Sequence, residues 1–347
     1  MSDKVPTIKV IAKKLGLSAS TVSRALNDHP SIGLKTKTLV KQLAKDLGYE
    51  PNQTAIFFQK RKTFTIGVVL PKLSETFFSE AISGIEDFAS MNKYIVFLGQ
   101  SHDDEEREKK IIESMKNHRV DGIISSISKN TTNYAHFEML KKYDIPIVFF
   151  DCIPPIENIN SVECDMVEGT IKAVSFLLKK GYRNIGLING PHKLLASQQR
   201  LEGYRIAINK NRLKFDPNLV INTDLSTKGT HDAMAEFFSH KRTPTGIITF
   251  NDYVALDAAQ FAFQRNKTIG KDISFVSYAN LPINSYMAYP PLASIEQFPY
   301  DQGKRAMEML LGILESENKS DTNKGFRIKI ETELVLNSHQ NSGRIFS

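Results

Sequence analysis

Cysteine is scarce. Cys152 and Cys164 are the only two in 347 residues, they lack C-x-x-C spacing, and no disulfide framework can be built from them. They read as small buried apolar residues. The eight histidines are scattered, with no H-E-x-x-H and no His/Cys pairing at zinc spacing, so neither a metal site nor a cofactor is expected. The phosphate-cradling and nucleophile motifs G-x-x-x-x-G-K-[ST], G-x-G-x-x-G and G-x-S-x-G are missing, which lowers an enzymatic reading without removing it. No apolar run of signal-peptide length opens the chain, and none approaches the ~18 residues of a membrane span. The expectation is a cytoplasmic protein with no membrane partner.

What is present is ordinary in composition and unusual in charge placement. Hydrophobic residues make up 41% and charged residues 24%, as in a globular protein of two or three folding units. The net charge is +7, yet residues 1–63 carry 12 Lys/Arg against 4 Asp/Glu, while the remainder carries 33 against 34. The whole basic excess sits on the N-terminal fifth, which points to a polyanion-binding module on a near-neutral body.

That N-terminal segment reads as three helices. Thr7 can cap the first, with Ile8, Ile11, Ala12 and Leu15 on one stripe, and Gly16 ends it. Ser18 caps the second, turning Val22, Ala25 and Leu26 inward and Ala19, Ser20, Ser23 and Arg24 outward. The third runs from about Lys35 to Leu47, with Leu39, Val40, Leu43, Ala44 and Leu47 facing the core and Gly48 as its stop. Helix, tight glycine turn, helix is a helix-turn-helix unit, whose second helix enters the DNA major groove. Short side chains let the backbone approach, and one protruding Arg can pair bidentately with guanine.

The stretch "TIKVIAKKLGLSASTVSRALN" and the later "GYEPN" at 48–52 resemble the lac-repressor (LacI/GalR) family of bacterial transcription regulators, and the resemblance spans the chain. It implies base contacts from Ala19, Ser20 and Arg24 within a DNA-binding set of Thr7, Ser18, Ala19, Ser20, Thr21, Ser23, Arg24 and Asn27. It also implies that residues 51–63 form a hinge helix that orders on operator DNA. Asn52, Ala55 and Phe58 join the DNA set there, Phe58 standing at the family's leucine wedge position. An apolar wedge between base steps unstacks them and kinks the duplex.

From residue 64 apolar strands alternate with amphipathic helices. "TIGVVLP" (65–71), "YIVFLGQ" (94–100), "VDGIISS" (120–126), "IPIVFFD" (145–151), "NIGLING" (184–190), "GIITFND" (246–252) and "ISFVSYAN" (273–280) predict parallel sheets covered on both faces. The expected fold class is therefore α/β, an all-α headpiece (1–50) and a linker (51–63) followed by a body (64–347) of two doubly wound subdomains. The resemblance implies a periplasmic-binding-protein-like body whose chain crosses between lobes near 166, 295 and 325. The N-subdomain is then 64–166 and 296–325, and the C-subdomain 167–295 and 326–347. The acidic run "HDDEEREKK" (102–110) reads as the first turn and solvated face of a helix.

Ligands of such sheets bind at strand C-termini, in the cleft between the subdomains. Positions matching the family's effector contacts are Phe77, Phe78, Asp151, Arg200 and Asn251, suited to a hydroxyl-rich or anionic small molecule. Each has a plainer reading: the two Phe as core, Asp252 as a helix cap. Two family features depart. The ligand-gripping Asp of the "VSYAN" motif is replaced by Ala279, and Leu225 stands where an aromatic residue is usual. The C-terminal "TELVLNSHQNSGRIFS" begins as a last strand and carries no leucine heptads, so a homodimer matching two operator half-sites is expected. The resulting expectation is a repressor, not an enzyme, binding a pseudo-palindromic operator under control of a sugar-like effector. A solute-binding protein and a small-molecule enzyme on the same scaffold are the alternatives.

Overall fold

A computed structural model describes residues 6–50, 62–316 and 325–337. The chain divides into two units, residues 1–63 and 64–347.

In the first unit, α1 (Ile8–Leu15) ends at Gly16, whose left-handed φ of 64° lets both Gly16 and Leu17 donate to the carbonyl of Ala12. Thr7 has the extended backbone of a cap, but its hydroxyl makes no capping bond. Ser18 opens α2 (Ala19–Leu26), its Oγ accepting the Thr21 amide at 3.0 Å. The third helix, α3 (Leu34–Asp46), starts one residue earlier than its apolar stripe predicts. Ile11, Ala12, Val22, Ala25, Val40 and Ala44 form the buried core. Leu39, expected inside, is exposed, so the third helix is rotated from that reading.

The second unit holds two six-stranded sheets. The first has the order β11-β5-β4-β3-β1-β2, built from β1 (Thr65–Leu70), β2 (Ile95–Gln100), β3 (Gly122–Ser125), β4 (Ile147–Phe150), β5 (Asn160–Cys164) and β11 (Arg327–Ile330), all parallel. The second has the order β12-β10-β9-β8-β6-β7, from β6 (Ile185–Asn189), β7 (Val220–Asn222), β8 (Gly246–Thr249), β9 (Ser274–Tyr278), β10 (Ala293–Glu296) and the antiparallel β12 (Glu333–Leu336). Helices α4 (Thr76–Met91), α5 (Glu105–Asn117), α6 (Ala135–Glu138) and α11 (Pro299–Glu315) accompany the first sheet; α7 (Met166–Lys179), α8 (Leu195–Lys210), α9 (Thr227–Ser239) and α10 (Asp252–Gln264) accompany the second.

Alternation along β1 shows why both faces must be covered. Ile66, Val68 and Leu70 join the core beneath α4 and α11, while Val69 joins the opposite core with Ile112 and Met115 of α5. The α4–α11 contact is close because Gly84 and Gly303 face it; a Cβ at either would collide with the main-chain oxygen of Tyr300 or Ala81.

Three segments join the lobes. The first is Asp165, between β5 and α7. The second is Gln297–Phe298, between β10 and α11. The third corrects the expectation of a crossing at 325: β11 pairs with β5 through Ile330, so the chain leaves the first lobe only at Glu331–Thr332. Short β5, β7, β10 and β11 escape the sequence reading because each is only three to five residues long and contains polar residues. The crossings are tied together: the Cys164 thiol donates to the Gln297 carbonyl at 2.8 Å, and the Asp165 amide to that of Ile330 at 3.0 Å.

Candidate nucleic-acid interface and ligand cleft

On the headpiece, the Ser18 cap draws a hydroxyl cluster together at the start of α2. Its Oγ lies 2.8 Å from both Ser20 Oγ and Thr21 Oγ1. Ser20 and Arg24 are exposed, and Thr21 and Ser23 are half-buried. Ala19 is less outward than expected, packing partly against the headpiece core. Asn27 spends its amide on its own helix, donating to the Ser23 carbonyl at 3.0 Å. Behind α2, Lys41 pairs with Asp28 at 2.6 Å and Lys37 donates to the Asp28 carbonyl, fixing the loop into α3. The result is a helix N-terminus with exposed hydroxyls and one free-standing guanidinium, a surface suited to phosphate and guanine edges. Asn52, Ala55 and Phe58 lie outside the described residues.

In the body, two of the predicted ligand positions, Asp151 and Arg200, interact electrostatically across the two sheets, and Arg200 reaches the carbonyl of Phe250, next to Asn251. Asp151 follows β4 in the left-handed region, with φ 56°; Leu225 and Ala279, the two departures from the family pattern, share that conformation at 65° and 84°. Non-glycine residues pay roughly 1–2 kcal/mol for this backbone, and such strain gathers at ligand clamps. Burial pushes the Asp151 carboxyl up to about 6, against the opposing pull of Cys152, the Arg200 charge and Ser126.

Arg200, on α8, is only 2% exposed. Its Nη1 donates to the Ala196 carbonyl at 3.1 Å and its Nη2 to the Phe250 carbonyl at 3.3 Å. The rings of Phe250 and Tyr278 lie 4.0 and 4.3 Å from the guanidinium carbon. Burial lowers its pKa while Tyr278 and Asp151 raise it, and the group stays charged.

Phe77 and Phe78 stand in the first turn of α4, edge to face at 5.4 Å, buried in a core that also takes in Ala279 and Leu281 from the opposite lobe. Their plainer reading as core residues describes this packing. Asn251 is the cap of α10, its Oδ1 accepting the Val254 amide at 2.9 Å. Asp252, read as a cap, is instead fully buried and organises the turn after β9, accepting Leu281 N–H at 2.6 Å, Ser294 Oγ–H at 2.8 Å and the Ser277 hydroxyl.

The acidic run also needs correction. Asp104 caps α5, but Glu108 is fully buried, accepting the Ser128 amide and Thr131 hydroxyl at 2.8 Å and His136 Nε2–H at 3.0 Å. Asp103 and Glu105 hold Lys129 and Thr132 of the same loop. At its tip, Lys129 Nζ donates across the lobes to the Asp224 carbonyl at 2.8 Å. Nothing in a one-dimensional charge run distinguishes such carboxylates from solvated ones. Phe250 and Tyr278 had a better signal, since both flank positions already singled out.

Residues 7–52 match the family described as bacterial regulatory proteins, lacI family, and residues 63–338 match the periplasmic binding proteins and sugar binding domain of LacI family. Catabolite control protein A of Priestia megaterium is 30% identical over 90% of this chain and 93% of its own length. The ribose operon repressor of Bacillus subtilis is 30% identical over 91% and 94%. The lac repressor dimer bound to operator and an anti-inducer shares the fold, with TM-score 0.80 at 23% identity over 97% of this chain and 99% of that one. With residues 7–52 and 63–338 matched in order, the chain belongs to the LacI family of bacterial regulatory proteins.

Proposed function

We propose that this protein represses transcription by binding a pseudo-palindromic operator as a homodimer, and that a small molecule in the cleft between its lobes controls that binding. The observation that carries the reading is the exposed Arg24 beside Ser20 on a helix of short side chains, in the segment that holds the whole basic excess. Thr7, Ser18, Thr21, Ser23 and Asn27 would position it, and Ala19 would meet at most a thymine methyl.

A second copy suits the exposed apolar surface of the body. Ile95, Phe97 and Leu98 lie on β2, the edge strand of the first sheet, and Leu256, Phe263, Ile283, Tyr286 and Tyr289 lie on α10 and the segment after β9. Patches of this kind mark association surfaces. The ribose operon repressors at 28–30% identity, and a regulator from Alkaliphilus metalliredigens solved with D-xylulofuranose at 27% identity and TM-score 0.64, support a sugar-like effector held by Asp151, Arg200 and Asn251. Phe77 and Phe78 would then back the site from the core. Effector and DNA affinities are reciprocally linked, by about 1–3 kcal/mol in typical cases.

Titration of the full-length protein into random duplex DNA tests the first step: log K should fall steeply with log salt. In site selection, Arg24→Ala should relax preference at one symmetric pair of positions by roughly 10–100-fold, the worth of a bidentate guanine contact. A flat salt dependence, or an unchanged selected site in the variant, would reject the proposal.

A further inference from the structure

The buried cation of the cleft lacks a counter-charge in contact with it. Arg200 forms no ion pair with any carboxylate among the described residues, and its Nε has no hydrogen-bond partner. Two carbonyl dipoles and two ring faces do not neutralise a full charge removed from water. The carboxylates that bear on its neighbours Asp151, Cys152 and Cys164 are engaged elsewhere: Glu75 with Lys72, Glu163 with Gln199, Glu296 with Asn280 and the amides of Gln297 and Phe298, and Asp103 with Lys129. Asp151 acts on Arg200 through space, and its carboxylate accepts from the Cys152 thiol and, at 3.4 Å, from the Ser126 hydroxyl.

Two further polar atoms are stranded at the same place. Asn189 Oδ1, at the end of β6, and Ser197 Oγ, one turn before Arg200 on α8, are buried without partners among the described residues. Asn189 Nδ2 donates to the Ser197 carbonyl at 2.9 Å, and a Cβ on the next residue, Gly190, would meet the Phe250 ring and Ser197 Oγ, so the ring stacked on Arg200 and the stranded hydroxyl face one spot. Meanwhile Ala279 and Leu225 offer no acceptor to a polyol. The unspent chemistry is donor-rich, cationic and completed by a single acceptor.

We infer that the effector is a small hydroxylated monocarboxylate, a sugar acid in place of a neutral sugar, bound through the Nε edge of Arg200. Its carboxylate accepts from the guanidinium and from the Ser197 hydroxyl, and a neighbouring hydroxyl donates to Asn189 Oδ1. A carboxylate brings one negative charge to the guanidinium, whereas a phosphate ester would bring nearly two to the same donor and closer to the Asp151 carboxylate. This rests on the ligand-controlled reading above.

The experiment is thermal melting of the full-length protein at constant ionic strength with D-gluconate, D-glucuronate, D-glucose and glucose 6-phosphate at equal concentrations. At least one of the two sugar acids should raise the melting temperature saturably while glucose does not, and Arg200→Met should abolish the shift. Arg200→Lys, which keeps the charge and loses the fork, covers a failure of the first variant to fold: it should keep the preference for the acid with roughly tenfold weaker affinity. The inference is overturned by a glucose shift equal to that of the acid, by glucose 6-phosphate exceeding both acids, by an acid shift that survives in Arg200→Met, or by no shift from either acid. The same preparation is titrated on random duplex DNA. Salt-steep DNA binding without an acid shift sinks this inference alone, and an acid shift without DNA binding sinks the regulator reading alone.

Discussion

The headpiece and the body solve opposite problems. The headpiece buries six small or medium apolar residues and leaves its hydroxyls and Arg24 at the surface, so its chemistry faces outward on a minimal core. The body has four larger apolar cores and buries Glu108, Arg200 and Asp252 among them, so its chemistry lies inside. A small core yields only a few kcal/mol, which suits a module meant to complete its interactions on a polyanion. Buried charges need preformed partners, which only a large scaffold assembled from distant segments supplies. Outward-facing function is therefore written locally, and inward-facing function is written in the tertiary structure.

The sharpest way to break this comparison is to separate the two units. Removal of residues 1–63 takes away the entire basic excess and none of the four body cores. DNA binding should fall by more than about 10³-fold, to the level of an acidic control protein, while the melting temperature of the body stays where it was. Salt-steep DNA binding by the isolated body would show that the division of labour is wrong. A body that no longer folds would show that the headpiece is structural.

The same contrast explains what could be read without coordinates. Gly16, the Ser18 cap and the stripe of Val22 and Ala25 act within a few residues of one another, so periodicity and capping chemistry locate them. The long apolar strands of the body were equally legible, because β1, β3, β4 and β6 are buried on both faces and read as continuous runs. Illegible were groups whose meaning comes from partners far along the chain. Glu108 looks like its neighbour Glu106 until Ser128, Thr131 and His136 are seen around it. Asp252 looks like a cap until Ser277, Leu281 and Ser294 close on it, and β11 was assigned to the wrong lobe because only its pairing with β5 reveals its side.

A titration sharpens the claim that the body's chemistry is interior. Burial raises the Asp151 carboxyl from 3.8 to about 6, so the folded protein retains this proton where the unfolded chain has released it. Stability is therefore lost as pH climbs through that window. The penalty, roughly 1–3 kcal/mol, is absent below about pH 4 and complete above about pH 6. Asp151→Asn removes the charge and should stabilise the ligand-free protein by that amount near neutral pH, with no gain near pH 4. Denaturant melts at the two pH values measure it. A variant less stable than wild type near neutral pH would mean that Asp151 is held as a needed anion, and that the body's buried charges are better paired than the comparison allows.

The smallest effect is expected at the rim, where the body's interior chemistry meets solvent. Lys129 reaches the Asp224 carbonyl from a loop already anchored by Glu108, Glu105 and Asp103, so removing the ammonium leaves the loop's own anchors in place. Its side chain remains 24% exposed, and single contacts of this kind contribute about 0–1 kcal/mol. Lys129→Met should accordingly lower global stability by less than about 1 kcal/mol. Yet this bond spans the two lobes and bears on their separation, so the variant's effect should fall on opening. Small-angle scattering of the ligand-free protein should show a larger radius of gyration for Lys129→Met than for wild type. Equal radii, together with a stability loss of several kcal/mol, would place Lys129 with Glu108 among the structural charges and move the boundary between interior and rim.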